Sequence, residues 1–211
     1  MKLHRIEKQP DWQNIPVGNL NAFQKIAKKT HGIVTPGNVI TTIGLGLVID
    51  GCNDLDQNPN KALIKVSAGR VADYLDGIVA DKTQTKSKIG EAADVMADKI
   101  AALALLKSIN DNKLLSNSFL NFLVLQNSAN SSLGLYSKLS HQELHSSKNG
   151  KIATALQTGI FMTSIASYTL EKSYPTHQKE VRKIQNLLTL LTIPTIVMSA
   201  LATYDYLNGQ S

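Results

Sequence analysis

The sequence predicts an all-α integral membrane protein, with six transmembrane helices preceded by an amphipathic helix lying in the membrane interface. Three observations lead there. The runs 152–170 (IATALQTGIFMTSIASYTL) and 187–204 (LLTLLTIPTIVMSALATY) contain no charged residue, and each is about as long as a helix needs to cross a ~30 Å bilayer core. Four more apolar segments of helical length precede them. Lys and Arg gather near the ends of these runs under a formal net charge of +6, a distribution suited to anionic lipid head groups. The mean hydropathy of −0.09 looks soluble only because it averages apolar runs with polar loops. Taken alone, the two uncharged runs fit the buried helices of a large soluble bundle equally well.

The elements follow in chain order. Residues 1–34 form an N-terminal segment with no apolar core of the kind a secretory signal carries. Within it, Leu20, Phe23, Ile26 and Ala27 can share one helical face flanked by Lys25, Lys28 and Lys29. That pattern suits an interfacial helix and equally an amphipathic helix packed on protein. Trp12, the single tryptophan, reads as an interface anchor. Thr35-Pro36-Gly37-Asn38 is a turn that starts a helix, and residues 35–208 make one domain.

The six expected spans are about 38–49, 62–80, 89–109, 118–137, 152–170 and 187–204. The acidic, Asn-rich stretch 50–60 reads as a loop. Asn121, Gln126, Asn127 and Asn130 interrupt the fourth span, as interhelical hydrogen-bonding groups or as lining of a cavity. Pro194 is expected to kink the sixth, its freed backbone group satisfied by neighbours.

Charge orients the spans. The N-terminal segment and the loops 81–90 and 138–151 hold twelve Lys and Arg against seven on the opposite loops, which places the former in the cytoplasm. Lys65, Arg70 and Lys99 fall inside spans and must face protein, water or a ligand. No aromatic-basic platform or recognition motif points to nucleic acid. Cys52 is the only cysteine, so neither a disulfide framework nor a Cys-based zinc site is expected. His141 and His145, at i and i+4, have no third ligand nearby and read as a solvated helix.

Residues 73–99 (DYLDGIVADKTQTKSKIGEAADVMADK) carry the chemistry. Asp73 and Asp76 are spaced i, i+3 and Asp94 and Asp98 i, i+4, so each pair lies on one face of its helix. If the two helices run antiparallel, the pairs converge near their cytoplasmic ends. Four carboxylates without His or Cys are hard ligands, suited to Mg²⁺ or Mn²⁺. A divalent ion would relieve their repulsion and anchor a pyrophosphate. Gly77, Ala80 and Gly90, about a turn from the acids, leave room for a nucleotide against the helix backbones. For Asp73, Asp76 and Gly77 alone, a polar turn between helices is the simpler reading; the whole arrangement favours a site.

The full pattern is Asp73-x-x-Asp76-Gly77-x-x-Ala80, then Gly90-x-x-x-Asp94-x-x-x-Asp98 after nine residues. It resembles the signature of the CDP-alcohol phosphatidyltransferase family. Thr35-Pro36-Gly37-Asn38 is similar to the family's Thr-Pro-Asn start with an added Gly. Gly150-Lys151-x-x-Thr154-x-x-Gln157 resembles a segment of phosphatidylglycerophosphate-synthase-like members. The resemblance covers about residues 30–205. It implies phosphatidyl transfer from a CDP-activated lipid such as CDP-diacylglycerol to the hydroxyl of a polar acceptor, with release of CMP.

By the same resemblance, Asp73, Asp76 and Asp94 hold a pair of divalent ions with Asp98 sharing, and Asp98 is the catalytic base. Asn38, Gly77, Ala80, Asp81, Ser87 and Gly90 meet the CDP-lipid. Asp81 stands where the family has Arg, so Lys82, Lys86 or Lys88 would have to supply the positive charge. Lys151 is placed to bind a phosphorylated acceptor, glycerol 3-phosphate being preferred to inositol phosphate, serine or phosphatidylglycerol; an interface-snorkelling lysine is the equal alternative. Many relatives are dimers, so a homodimer is among the expectations. The expected location is the cytoplasmic membrane of a microbe, with the site facing the cytoplasm. Two other readings compete: a soluble di-metal bundle, which would be expected to present Glu and His ligands, and a catalytically silent family member.

Overall fold

Apolar runs separated by short polar breaks dictate helices. In the computed structural model, helix accounts for most of the described residues, 12–139 and 148–207. Seven α-helices and no strand occur among them: α1 Ala22–Lys29, α2 Pro36–Asp54, α3 Pro59–Thr83, α4 Lys88–Asp111, α5 Asn117–Leu139, α6 Lys148–Ser173 and α7 Gln178–Leu207. Each expected span coincides with one of α2–α7, lengthened at its ends. Among these, one apolar stretch, Pro175–Asp205, is long and apolar enough by composition to cross a membrane, with a mean hydropathy of 1.7. The reasons differ between helices. Charges crowd α3, from Lys61, Lys65 and Arg70 to Asp73, Asp76, Asp81 and Lys82. In α6 the uncharged run 152–170 carries Gln157 and six Ser or Thr, which lower its hydropathy.

Two expectations change. The stretch 50–60 is largely helical, because α2 continues to Asp54 and α3 starts at Pro59. Two of its three acids meet lysines of α3: Asp50 pairs with Lys65, and Lys61 lies 3.9 Å from Asp54. Proline at the first helical position costs no hydrogen bond and presets the turn. The second change concerns the N-terminal segment, where α1 starts only at Ala22. Leu20 and Ala27 are buried with Trp12, whereas Phe23 and Ile26 are half exposed. The four apolar residues therefore do not share one face. Trp12 is an interior side chain, 3% exposed, and not a surface anchor. His141 and His145 lie outside the described residues.

The chain divides into two compact units, one of residues up to Gly51 with Ile64–Ala104, the other of Cys52–Leu63 with residues from Leu105 onward. In the first, α2 and α3 meet backbone to backbone along small residues. A Cβ built on Gly69 would lie 2.6 Å from both the Gly44 carbonyl oxygen and Val48 Cγ2, and one on Gly37 3.1 Å from Ala80 Cβ. Only glycine permits that approach. Thr35 caps α2, its hydroxyl accepting from the Asn38 amide at 3.1 Å. Asn21 caps α1 reciprocally with Gln24, at 2.8 and 3.0 Å, a capping box.

In the second unit, α6 and α7 pack along each other around the Pro175–His177 turn. They run antiparallel, since Asn149 donates to Asp205 at 3.0 Å near one end and Gln185 to Glu171 at 3.5 Å near the other. Between them Ile160, Phe161 and Ile165 are buried. Gln157 donates to Gln126 on α5 at 3.3 Å and to Ser199 on α7 at 3.2 Å. The polar residues that interrupt the fourth span thus include an interhelical bonding group.

Candidate active site

The first unit builds the site. On α3, Asp73 and Asp76 are one turn apart, and the antiparallel α4 brings Asp94 to them. One carboxylate oxygen from each lies within 4.8 Å of the others. The donor set is oxygen only, and at that spacing a single hard cation can engage all three. Asp76 is buried, 6% exposed. A buried carboxylate without partners would be costly. The Thr41 hydroxyl of α2 donates to it at 2.5 Å, and the glycine seam between α2 and α3 is what lets Thr41 come so close.

Asp98, one turn further along α4, is not part of that trio. Arg70 lies between it and the others, its guanidinium 3.3 Å from Asp73 Oδ2 and 3.4 Å from Asp98 Oδ1. The cation inside the second expected span therefore faces protein acids, as Lys65 does through Asp50.

Beside the trio is a pocket of about 210 Å³ whose lining includes Asn38, Asp76, Gly77, Ala80, Lys86, Ser87, Gly90 and Asp94. A Cβ on Gly77 would meet nothing within 4 Å, so this glycine leaves the pocket open; one on Gly90 would lie 2.7 Å from Asn38 Oδ1. Ser87 caps α4, its Oγ accepting from the Gly90 amide at 3.0 Å. A family model for CDP-alcohol phosphatidyltransferases matches residues 34–204. The chain belongs to the CDP-alcohol phosphatidyltransferase family. No curated protein and no solved structure matches it.

As a CDP-alcohol phosphatidyltransferase the chain is an enzyme, a phosphotransferase for substituted phosphate groups that moves a phosphatidyl group from a CDP-alcohol to an acceptor. The family is membrane-embedded, serves phospholipid biosynthesis and in general depends on divalent metal. The carboxylate trio fits that dependence.

Within this phosphatidyltransferase the other expected residues fall as follows. Asn38 lines the pocket, but its Nδ2 donates to the Gly32 and Ile33 carbonyls at 3.1 and 2.8 Å, so it ties down the start of α2. Asp81 is exposed and does not line the pocket. Its Oδ1 lies 2.8 Å from Lys86 Nζ, and Lys86 does line it. Of Lys82, Lys86 and Lys88, Lys86 is the one in the pocket's lining. Lys151 is exposed near the start of α6 and belongs to the second unit. A larger cavity of about 310 Å³ in that unit, with Lys113, Ser167 and Lys172 in its lining, holds none of the motif residues.

Sequence reasoning gave Thr41 no role and Arg70 no partner. The signals existed: Arg70 precedes Asp73 by three residues, and Gly37, Thr41 and Gly44 recur at helical spacing on one face of α2.

Proposed function

We propose that the protein transfers the phosphatidyl group of a CDP-diacylglycerol-like lipid to the hydroxyl of glycerol 3-phosphate and releases CMP. The observation that carries this reading is the convergence of Asp73, Asp76 and Asp94 within 4.8 Å beside the pocket of Gly77, Ser87 and Gly90. Asp73, Asp76 and Asp94 hold a pair of Mg²⁺ or Mn²⁺ ions, with Asp98 sharing. Bound there, such ions would supply the positive charge that a diphosphate leaving group needs. Gly77, Ala80 and Gly90 leave space for the cytidine diphosphate, and Ser87 and Asn38 hold the walls around it. Lys86, restrained by Asp81, supplies the cation facing the phosphates.

Asp98 takes the proton of the attacking hydroxyl. The new oxygen–phosphorus bond forms at the lipid-bearing phosphate as its bond to CMP breaks. Arg70, in contact with both Asp98 and Asp73, fixes the base beside the trio. Lys151 receives the acceptor's phosphate, a role supported by the resemblance of Gly150–Gln157.

Residues 35–208 form the transferase domain, in keeping with the match at 34–204. Six spans are supported by exposed large apolar side chains on helices that also carry charge: Ile64, Val71 and Tyr74 on α3, and Met96 and Leu103 on α4. Apolar surface on that scale asks for a nonaqueous neighbour. On α1, half-exposed Phe23 and Ile26 beside Lys25 and Lys29 support an interfacial seat. The excess of basic residues in the N-terminal segment and the loops 81–90 and 138–151 supports a site on the cytoplasmic side of the membrane.

Purified protein in detergent, given CDP-diacylglycerol and Mg²⁺, is expected to release CMP with glycerol 3-phosphate and to stop when the metal is chelated. Asp76→Asn is expected to slow release about a thousandfold, since charge supplied by a bound metal is worth several kcal/mol. Release only with inositol phosphate, serine or phosphatidylglycerol would replace the acceptor. Undiminished release from Asp76→Asn would overturn the site.

A further inference from the structure

The end of α3 raises an accounting problem. The last carbonyls of any helix lack intrahelical donors and need others. Here the Ala80 carbonyl receives the Thr85 amide at 3.1 Å and the Asp81 carbonyl the Gln84 amide at 3.1 Å, with Gln84 in the left-handed region at φ 54°. The carbonyls of Thr83, Gln84 and Lys86 are met by none of these local amides. Each takes a side-chain donor from about sixty to seventy-five residues earlier in the chain. Asn21 Nδ2 donates to Thr83 at 3.2 Å, Gln24 Nε2 to Gln84 at 3.2 Å, and Trp12 Nε1 to Lys86 at 2.8 Å.

Trp12 and Gln24 are buried, at 3% and 4% exposure. The far end of the same segment is tied as well, the Ser87 hydroxyl donating to the Gly32 carbonyl at 3.2 Å. Gly32, at φ 82°, has no room for a Cβ, which would lie 3.0 Å from Ser87 Cβ.

The loop so held, 84–87, carries Lys86 and Ser87 of the pocket. All three donors precede residue 34, where the family match begins. We propose that Trp12, Asn21 and Gln24 are positioning residues that clamp this loop by its carbonyls and thereby set the affinity for the CDP-bearing donor. The clamp acts through Lys86, whose main chain it fixes while Asp81 restrains the ammonium. This rests on the reading of the pocket as the donor site.

Three substitutions each remove one donor, and Asn21→Asp and Gln24→Glu also set a carboxylate oxygen against the carbonyl it served. Trp12→Phe keeps an aromatic ring in the cluster. Asn21→Asp keeps the oxygen that caps α1, and Gln24→Glu keeps the oxygen that returns to the Asn21 amide, so the capping box survives. One neutral hydrogen bond corresponds to about a fivefold change in an equilibrium constant. Each variant is expected to raise the KM for CDP-diacylglycerol about fivefold. The acceptor KM and kcat should stay at wild-type values, the melting temperature should fall modestly because a carbonyl loses its donor, and amide hydrogen exchange in residues 84–90 should quicken.

The exchange measurement needs no substrate, so it decides the clamp even if Asp76→Asn were to overturn the site. Unchanged exchange, an unmoved donor KM, or a fall of kcat with the acceptor KM rising as far as the donor KM would each overturn the proposal.

Discussion

The α3–α4 and α6–α7 pairs are both antiparallel hairpins of long helices, and they are built on opposite principles. In α6–α7 large side chains such as Ile160, Phe161 and Ile165 fill the interior, and the polar groups among them bond to one another, as Gln157 does with Gln126 and Ser199. In α3–α4 the facing groups are carboxylates and a guanidinium, and the tight packing of α3 is against the glycines of α2. The first arrangement derives its stability from apolar burial. The second accepts like charges at close quarters, which oppose folding unless cations offset them. Stability and chemistry are thus kept on separate helix pairs, and perturbations of the two should read out differently.

The strongest test of that separation is Ile165→Ala. Ile165 is 1% exposed, and truncating a buried isoleucine costs about 2–5 kcal/mol. Thermal or denaturant unfolding in detergent should record that loss while the KM values of the surviving enzyme stay unchanged. A shifted donor KM would break the division.

Next comes Gly69→Ala, whose new methyl would press on the Gly44 carbonyl and Val48. Overpacking of this kind costs about 1–3 kcal/mol. It should also lower activity at saturating substrate, because the displaced α2 carries Thr41, the donor to Asp76. A loss of stability with unchanged kcat would show that the seam does not set the position of Asp76.

The mildest is Arg70→Met. Removing a cation from beside the trio should make it more attractive to Mg²⁺, lowering the half-saturating concentration several-fold. With Asp98 no longer held, kcat should drop about tenfold. An unchanged Mg²⁺ dependence would separate Arg70 from the trio.

The six long helices could be read from the sequence because an apolar run ended by polar residues leaves the backbone few alternatives. The acidic pairs were equally legible, since a helix fixes the relation of residues three and four apart. What escaped depends on partners distant in sequence. Asp50 looks like a loop residue until Lys65 is placed beside it. Trp12 looks like a surface anchor until the Lys86 carbonyl is found at its indole nitrogen. Arg70 is the intermediate case, with Asp73 in reach along its own helix and Asp98 visible only once α4 is in place. Charge names three lysines beside Asp81, and only the folded chain shows that Lys86 is the one lining the pocket.

The glycine seam has a mechanical corollary. Because the main chain of α2 bears directly on that of α3 at Gly44 and Gly69, no side chain stands between them to give way. The join between α3 and α4 at Arg70 is instead made by side chains, its guanidinium reaching Asp73 and Asp98. A side chain added along the seam therefore has to displace one of two main chains, whereas one changed at Arg70 does not.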